Sequence, residues 1–322
     1  MTQTNKPLIP RRQFLNNSLA GVATALVAPT IVTAKKTDSL PIIGTNEFRY
    51  EVIHHWPQLP AMYHWQTTHN VAVDSEGLLY VIHEGTYGKS DHPTIFVFDE
   101  KGTYVRSFGS EFAGGGHGLE IRNEEGQDFL YVCAYQQQRS FAKLDTRGEL
   151  VWRQGAPMQS NFYAKGEDQF PRPQNDNPWG RERFIPTNIA FLSDGGFFLS
   201  DGYGAYRIHR YDHNANWMST FGEPASGEQA PDGQFNLPHG IWIDSREEEP
   251  LVVVADRRLN RLQWFTLNGK HQRTLDGFRL PANIDIHDNV MMVPELVARL
   301  TLLDKNNQVI AHWGTDSERI EK

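Results

Sequence analysis

From about residue 65 onward, short runs in which apolar and polar side chains alternate recur along the chain. A period of two marks strands with one buried face. One kind of run appears five times: HNVAVD at 69–74, HGLEI at 117–121, TNIAF at 187–191, HGIWID at 239–244 and ANIDI at 282–286. A second apolar run follows it, as in LYVI at 79–82, FLYV at 129–132, GFFLS at 196–200 and LVVVA at 251–255. A third comes next (IFVFD at 95–99, RIHRY at 207–211, RLQWF at 261–265), and a fourth ends in an aromatic and a glycine at Phe108-Gly109, Phe221-Gly222 and Trp313-Gly314. Turn residues such as Asp194-Gly195-Gly196 and Asn268-Gly269 separate them. Four short strands repeating every ~40–50 residues make the blade of a β-propeller. The fold class expected is all-β, a propeller of the six-bladed type with five blades visible.

Two stretches break the repeat. Residues 154–185, between the second and third blades, are rich in Pro, Asn, Asp and Arg and carry no strand alternation. A connection that long inside a compact domain is usually functional or disordered. Ahead of the first blade, YEVIHHW at 50–56 resembles a blade's fourth strand. Either the ring closes with five blades and this strand lies outside it, or a sixth blade is missing; the missing blade is the expectation. Earlier still, PRRQFL at 10–15 precedes a weakly apolar run at 19–32, broken by Pro29 and ending at Thr33-Ala34. Paired arginines, an apolar stretch and small residues in that order form a twin-arginine export signal. The run is shorter than the ~20 residues of a spanning helix, so cleavage near Ala34 is expected rather than a stable membrane anchor. The organisation expected is a signal peptide at 1–34, a linker with a leading outer strand at 35–64, and the propeller at 65–322. Its place of work is then the periplasm or the extracellular space.

Composition narrows the partners. A net charge of −8 and no Lys/Arg cluster beyond the leader argue against nucleic acid, whose phosphates need a basic face. With Cys133 the sole cysteine, no disulfide can form within the chain, and its place inside an apolar strand predicts a small buried hydrophobe.

Between residues 184 and 265 the chain reads FIPTNIAF, FFLSDGYGAYRI, FGEPASGEQAPDGQFNLPHGIWID and VVADRRLNRLQWF. This looks like the NHL-repeat propeller of the peptidyl-α-hydroxyglycine α-amidating lyases. Those are zinc enzymes that split a C-terminal α-hydroxyglycine peptide into a peptide amide and glyoxylate. The SDGY stretch and the pairing of PHG with ADR carry most of the likeness, which extends over much of 65–314. The resemblance implies that His117 and His239 fall on two of the family's three zinc histidines and Tyr203 on its active-site tyrosine. It implies zinc as cofactor, with a structural calcium as a second expectation. It also departs from the family: His83-Glu84-Gly85 stands where the family has His-Arg-Gly with an essential arginine, and the third zinc histidine belongs to a sixth blade not visible here.

The repeat itself makes a separate prediction. In a propeller the turns leading into the first strands and the turns joining second and third strands open on one face. His69, His117 and His239 occupy the former, and His83, Tyr203 and Arg257 the latter, so all should converge at one mouth of the channel. Three neutral imidazoles with an open fourth position suit catalytic zinc, and Tyr203, with Arg257 nearby, supplies acid–base chemistry. A plainer reading stands beside it. The histidines would merely bond neighbouring carbonyls, as Thr187, Asn188 and Asn283 must at equivalent positions, Tyr203 would pack on a blade edge, and Arg257 and Arg261 would pair with Asp256 or Asp201. Two functions follow. One is a metal-dependent lyase acting on a small molecule or peptide end; the other is a non-catalytic propeller binding a peptide, protein or carbohydrate through the same face. A sugar-lactonase-like propeller is a third candidate, but it would need acidic metal ligands that this pattern does not supply.

Overall fold

The computed structural model describes residues 42–45, 47–172, 177–227 and 229–314, all within the compact unit spanning 40–322. The leader assigned to residues 1–34 lies outside them. The described chain opens with a hairpin, β1 (Ile42–Thr45) and β2 (Phe48–Glu51). Five four-stranded antiparallel sheets follow in chain order. Blade 1 holds β3 (Thr68–Val73), β4 (Leu79–His83), β5 (Ile95–Phe98) and β6 (Tyr104–Phe108). Blade 2 holds β7 (Gly116–Glu124), β8 (Gln127–Ala134), β9 (Ser140–Asp145) and β10 (Leu150–Gln154). Blade 3 holds β11 (Asn188–Phe191), β12 (Phe197–Asp201), β13 (Arg207–Tyr211) and β14 (Trp217–Phe221). A short parallel pair, β15 (Glu223–Pro224) and β16 (Gln234–Phe235), leads to blade 4, formed by β17 (Pro238–Asp244), β18 (Leu251–Asp256), β19 (Arg261–Thr266) and β20 (His271–Asp276). Blade 5 holds β21 (Asp285–His287), β22 (Val290–Glu295), β23 (Arg299–Leu303) and β24 (Val309–Gly314).

Alternation along each inner strand sends successive side chains to opposite neighbours. On β4, Tyr80 and Ile82 join Leu119, Leu130 and Val132 in a core between blades 1 and 2. Similar cores lie between blades 2 and 3 around Tyr131, Phe141 and Phe197, between blades 3 and 4 around Phe198 and Val254, and between blades 4 and 5 around Trp264 and Met291. The other residue set of β4 and β5 includes Val81, Phe96 and Phe98. Trp56, Leu59, Tyr63 and Trp65, from the segment ahead of β3, cover it. Among the described residues no buried cluster joins blade 5 to blade 1.

Of the leading segment at Phe48–Trp56, Phe48–Glu51 forms strand β2, which pairs with β1 and with no strand of a blade. The hairpin lies against the last strand, with Tyr50 edge-on to Trp313 at 4.8 Å. The insertion expected at 154–185 begins on the last residue of β10, Gln154; beyond it the described residues hold no strand and one short 3-10 turn at Met158–Ser160. Cys133 is buried in the core between blades 2 and 3.

A turn repeats with the blades and explains why the strands end where they do. Asp74, Asp99, Asp145, Asp212 and Asp304 each accept two backbone N–H bonds through Oδ1, from the residues two and four positions on. The residue three positions on adopts positive φ in every case: Gly77, Gly102, Gly148, Ala215 and Asn307. An aspartate that offers the backbone an alternative to the ladder stops a strand, and the left-handed residue turns it back. Among the described residues no helix is long and apolar enough to cross a membrane.

Candidate functional site

Two residue pairs of the same form start the site. His117-Gly118 and His239-Gly240 stand at the inner ends of β7 and β17. A Cβ on Gly118 would lie 2.4 Å from the Thr187 carbonyl oxygen, and one on Gly240 would lie 2.4 Å from the Asn283 Cα. Only glycine lets the next blade's backbone come this close. That approach brings a carbonyl to each imidazole: His117 Nδ1 donates to Thr187 O at 2.9 Å and His239 Nδ1 to Ala282 O at 2.6 Å. A carbonyl can only accept, so the proton of each neutral ring sits on Nδ1 and each Nε2 carries its lone pair.

Those two Nε2 atoms face each other at 3.2 Å. The Tyr203 hydroxyl closes the triangle, 3.3 Å from His117 Nε2 and 3.0 Å from His239 Nε2. Its proton can satisfy one nitrogen at a time. Burial holds both rings well below the ordinary histidine pKa; His69 beside His117 and Arg257 beside His239 add to the effect. With one hydroxyl proton between two lone pairs, one nitrogen is left without a donor. Two histidine nitrogens ~3.3 Å apart also have the separation of neighbouring ligands in a tetrahedral site with bonds of ~2.0–2.1 Å.

Tyr203 arrives on the turn between β12 and β13. Asp201 anchors that turn: its carboxylate accepts the N–H groups of Ile185, Gly204 and Ala205 and the Tyr163 hydroxyl at 2.8–3.1 Å. Arg257 comes from the equivalent turn of blade 4, and its Nη2 donates to the Tyr203 hydroxyl at 3.2 Å. Burial raises the phenol's pKa while Arg257 pulls it down, with a net shift upward, so at neutral pH the group is a proton donor. His69 stacks on His117 with centroids 4.4 Å apart. Its Nε2 is buried without a hydrogen-bond partner, and burial, with Arg257 and His83, lowers its pKa to about 4. That leaves a buried nitrogen with unmet hydrogen-bonding capacity beside the triangle. Even so, among the described residues no group of three His, Cys, Asp or Glu side chains is placed to hold one ion. The histidine triangle opens onto a cavity of ≈ 700 Å³ lined by first strands of all five blades.

Of the residues expected at the mouth, His83 does not reach the triangle. It is fully buried, accepts from the Gln66 N–H at 3.2 Å through Nδ1 and bonds the Pro93 carbonyl at 2.8 Å through Nε2. With both nitrogens engaged it packs against Trp65 and Phe96 inside blade 1. The two arginines divide: Arg261 pairs with Asp256 at 3.0 Å, whereas Arg257 turns to Tyr203. Sequence reasoning missed Tyr135 and Trp179. Tyr135 occupies blade 2's turn equivalent to that of Tyr203 and lies edge-on to His117 at 5.1 Å. Its position in the repeat was the available signal. Glu84, at the matching turn of blade 1, accepts from Gln136 Nε2 at 2.8 Å, and its charge helps raise the Tyr135 hydroxyl's pKa.

No family profile matches the chain. Curated relatives do. Over 220 residues it is 27% identical to the mouse peptidyl-glycine alpha-amidating monooxygenase, covering 62% of this chain and 20% of that protein. Over 202 residues it is 27% identical to a Caenorhabditis elegans protein named "Probable peptidyl-alpha-hydroxyglycine alpha-amidating lyase", covering 62% and 51%. Over 110 residues it is 32% identical to peptidyl-alpha-hydroxyglycine alpha-amidating lyase 1 of Drosophila melanogaster, covering 31% and 20%. The aligned region thus spans about a fifth to a half of these relatives. Among solved structures, a catalytically inactive virginiamycin B lyase from Staphylococcus aureus with quinupristin superposes with a TM-score of 0.50 at 12% identity, covering 88% of this chain and 87% of that one. A nidogen/laminin complex gives 0.54 at 11%, covering 77% and 80%. At such identities the likeness is one of fold: the chain is a β-propeller, and its sequence relatives are amidating lyases and monooxygenases.

Proposed function

We propose that this propeller is a zinc-dependent lyase that splits a C-terminal α-hydroxyglycine peptide into a peptide amide and glyoxylate. The observation that carries the reading is the triangle of His117 Nε2, His239 Nε2 and the Tyr203 hydroxyl with sides of 3.0–3.3 Å. Zinc would be held by the two Nε2 atoms, with His69 stacked on His117 beside them. When bound it supplies Lewis acidity toward the substrate hydroxyl. The chain's own groups do the rest. In one concerted step Tyr203 gives its phenol proton to the departing amide nitrogen as it takes up the substrate hydroxyl proton. The C–N bond breaks as the C=O bond of glyoxylate forms, and the phenol ends as it began. Arg257, bonded to the phenol, offers its cationic face to the carboxylate that becomes glyoxylate's. The twin-arginine leader reading would set this reaction outside the cytoplasm.

The test is glyoxylate release from an α-hydroxyglycine peptide by zinc-loaded protein. Tyr203→Phe should keep its zinc and its KM while kcat falls by roughly 10²–10⁴-fold, the usual cost of losing a positioned proton donor. No glyoxylate from the wild type, or unimpaired turnover by Tyr203→Phe, would overturn the assignment. One observation favours the second reading, a non-catalytic propeller binding a peptide, protein or carbohydrate at the same mouth. Glu84 puts a carboxylate where the resembled family has an arginine. Peptide binding without turnover in the same assay is its signature.

A further inference from the structure

Trp179 lies beside Tyr203, their ring centroids 6.2 Å apart, and it is 46% exposed. It is also firmly placed, because the end of the insertion is pinned to the turn that carries Tyr203. Arg181 Nη1 donates to the Gly204 carbonyl and its guanidinium lies 3.4 Å over the Tyr206 ring, while the Tyr203 N–H donates to Ile185 O at 3.3 Å. Farther back, Glu167 takes Arg139 Nε at 3.1 Å, Arg183 Nη1 at 2.8 Å and the Phe184 N–H at 3.1 Å. An exposed indole held this way is a contact surface awaiting a partner.

Its neighbours say what kind. The Trp179 ring centroid lies 6.3 Å from Tyr135 and 6.2 Å from Tyr203, and the two tyrosines are 5.6 Å apart. Rings this close touch one another, leaving no space between them for an ammonium ion, so this is no cation cage. They form a continuous apolar step that begins at the reacting phenol and climbs outward by about one ring. Adjacent Cα atoms of a peptide are ~3.8 Å apart, and a side chain adds a few ångströms more. The step therefore matches the side chain of the residue immediately before a C-terminal unit seated at Tyr203.

We propose that Trp179, with Tyr135, forms the subsite for an apolar, preferentially aromatic, side chain on the residue preceding the reacting unit, making Trp179 a specificity-determining residue. The proposal rests on the lyase reading for its substrate. Its test has two arms, so that the two can fail separately. In the first, turnover of N-acetyl-Phe-α-hydroxyglycine is compared with that of N-acetyl-Ala-α-hydroxyglycine. The wild type should favour the phenylalanyl substrate about tenfold or more in kcat/KM, through KM. In Trp179→Ala the two should converge while kcat for the alanyl substrate holds. In the second arm, the unreactive N-acetyl-Phe-Gly and N-acetyl-Ala-Gly are titrated calorimetrically, which needs no catalysis. The same preference in Kd, lost in Trp179→Ala and restored in Trp179→Phe, supports the subsite even if no turnover is found. Equal affinity for the two dipeptides in the wild type, or a preference that Trp179→Ala leaves intact, overturns it.

Discussion

Protein carrying His117→Ala is expected to lose stoichiometric zinc and, with it, at least roughly 10³-fold in lyase turnover, the scale on which removing one member of an interdependent catalytic set is felt. The reason is geometric. His117 Nε2 stands 3.2–3.3 Å from both other corners of the triangle, so removing it leaves His239 and Tyr203 as a single edge. His239→Ala should behave alike. Metal content after chelation and zinc titration, read by mass spectrometry, reports the first effect without any need for activity. The fold should survive, since each ring faces the channel rather than an inter-blade core. The control is His209→Asn: that ring is buried in blade 3 against Tyr163 and Thr220 and should be irrelevant to zinc. Zinc retained by both His117→Ala and His239→Ala, or absent from the wild type at saturating metal, would sink the site as drawn.

The second large effect is on stability. Glu167→Gln should lower the free energy of unfolding by about 3–5 kcal/mol, the range for withdrawing one partner from a buried ion pair. Glu167 and Arg139 are 2% and 0% exposed, with Arg183 bonding the same carboxylate. Burial alone would raise the Glu167 pKa, but Arg183, the Phe184 N–H and Arg139 together hold it below the ordinary value. The amide keeps the shape and removes the charge that Arg139 and Arg183 both bond in the interior. Thermal unfolding should shift down by on the order of 6–12 °C. The neighbouring Glu182→Gln is the contrast. That carboxylate is 57% exposed and 3.8 Å from Arg183, and its loss should move stability by no more than about 0.5 kcal/mol. A midpoint for Glu167→Gln within 2 °C of wild type would show that the cluster does not anchor the insertion.

How much of this was open to reading from the chain depended on how local the cause was. Blades are local: β4 can be read from Leu79-Tyr80-Val81-Ile82 because a strand with two buried faces must be apolar throughout, and its start is set by the Asp74 turn just ahead of it, as the end of β5 is by Asp99. The His-Gly pairs are legible for a related reason, since a glycine after each imidazole is the mark of close backbone approach. What could not be read depends on partners far apart in sequence. Glu167 looks like any loop carboxylate until Arg139, 28 residues earlier, is folded against it. His83 looks as eligible as His69 until Pro93 and Gln66 claim its nitrogens. Tyr50 and the residues after it have strand-like alternation, yet β2 finds only β1, because pairing is decided by which edge is free.

The cover laid over blade 1 by Trp56, Leu59, Tyr63 and Trp65 has a mechanical side. Blades 2, 3 and 4 are each gripped by a core on both flanks, whereas blades 1 and 5 share one with a single neighbouring blade. Energetically the described residues are then a linear array bent round an axis, with nearest-neighbour couplings and two ends, rather than a ring in which every joint is equivalent. Val71 and Val73 of blade 1, 55% and 58% exposed, and Met292, Pro294 and Leu296 of blade 5 border the cavity that holds the histidines. Among the described residues, outward pressure on blade 1 or blade 5 would therefore load one inter-blade core, and on blade 2, 3 or 4 it would load two.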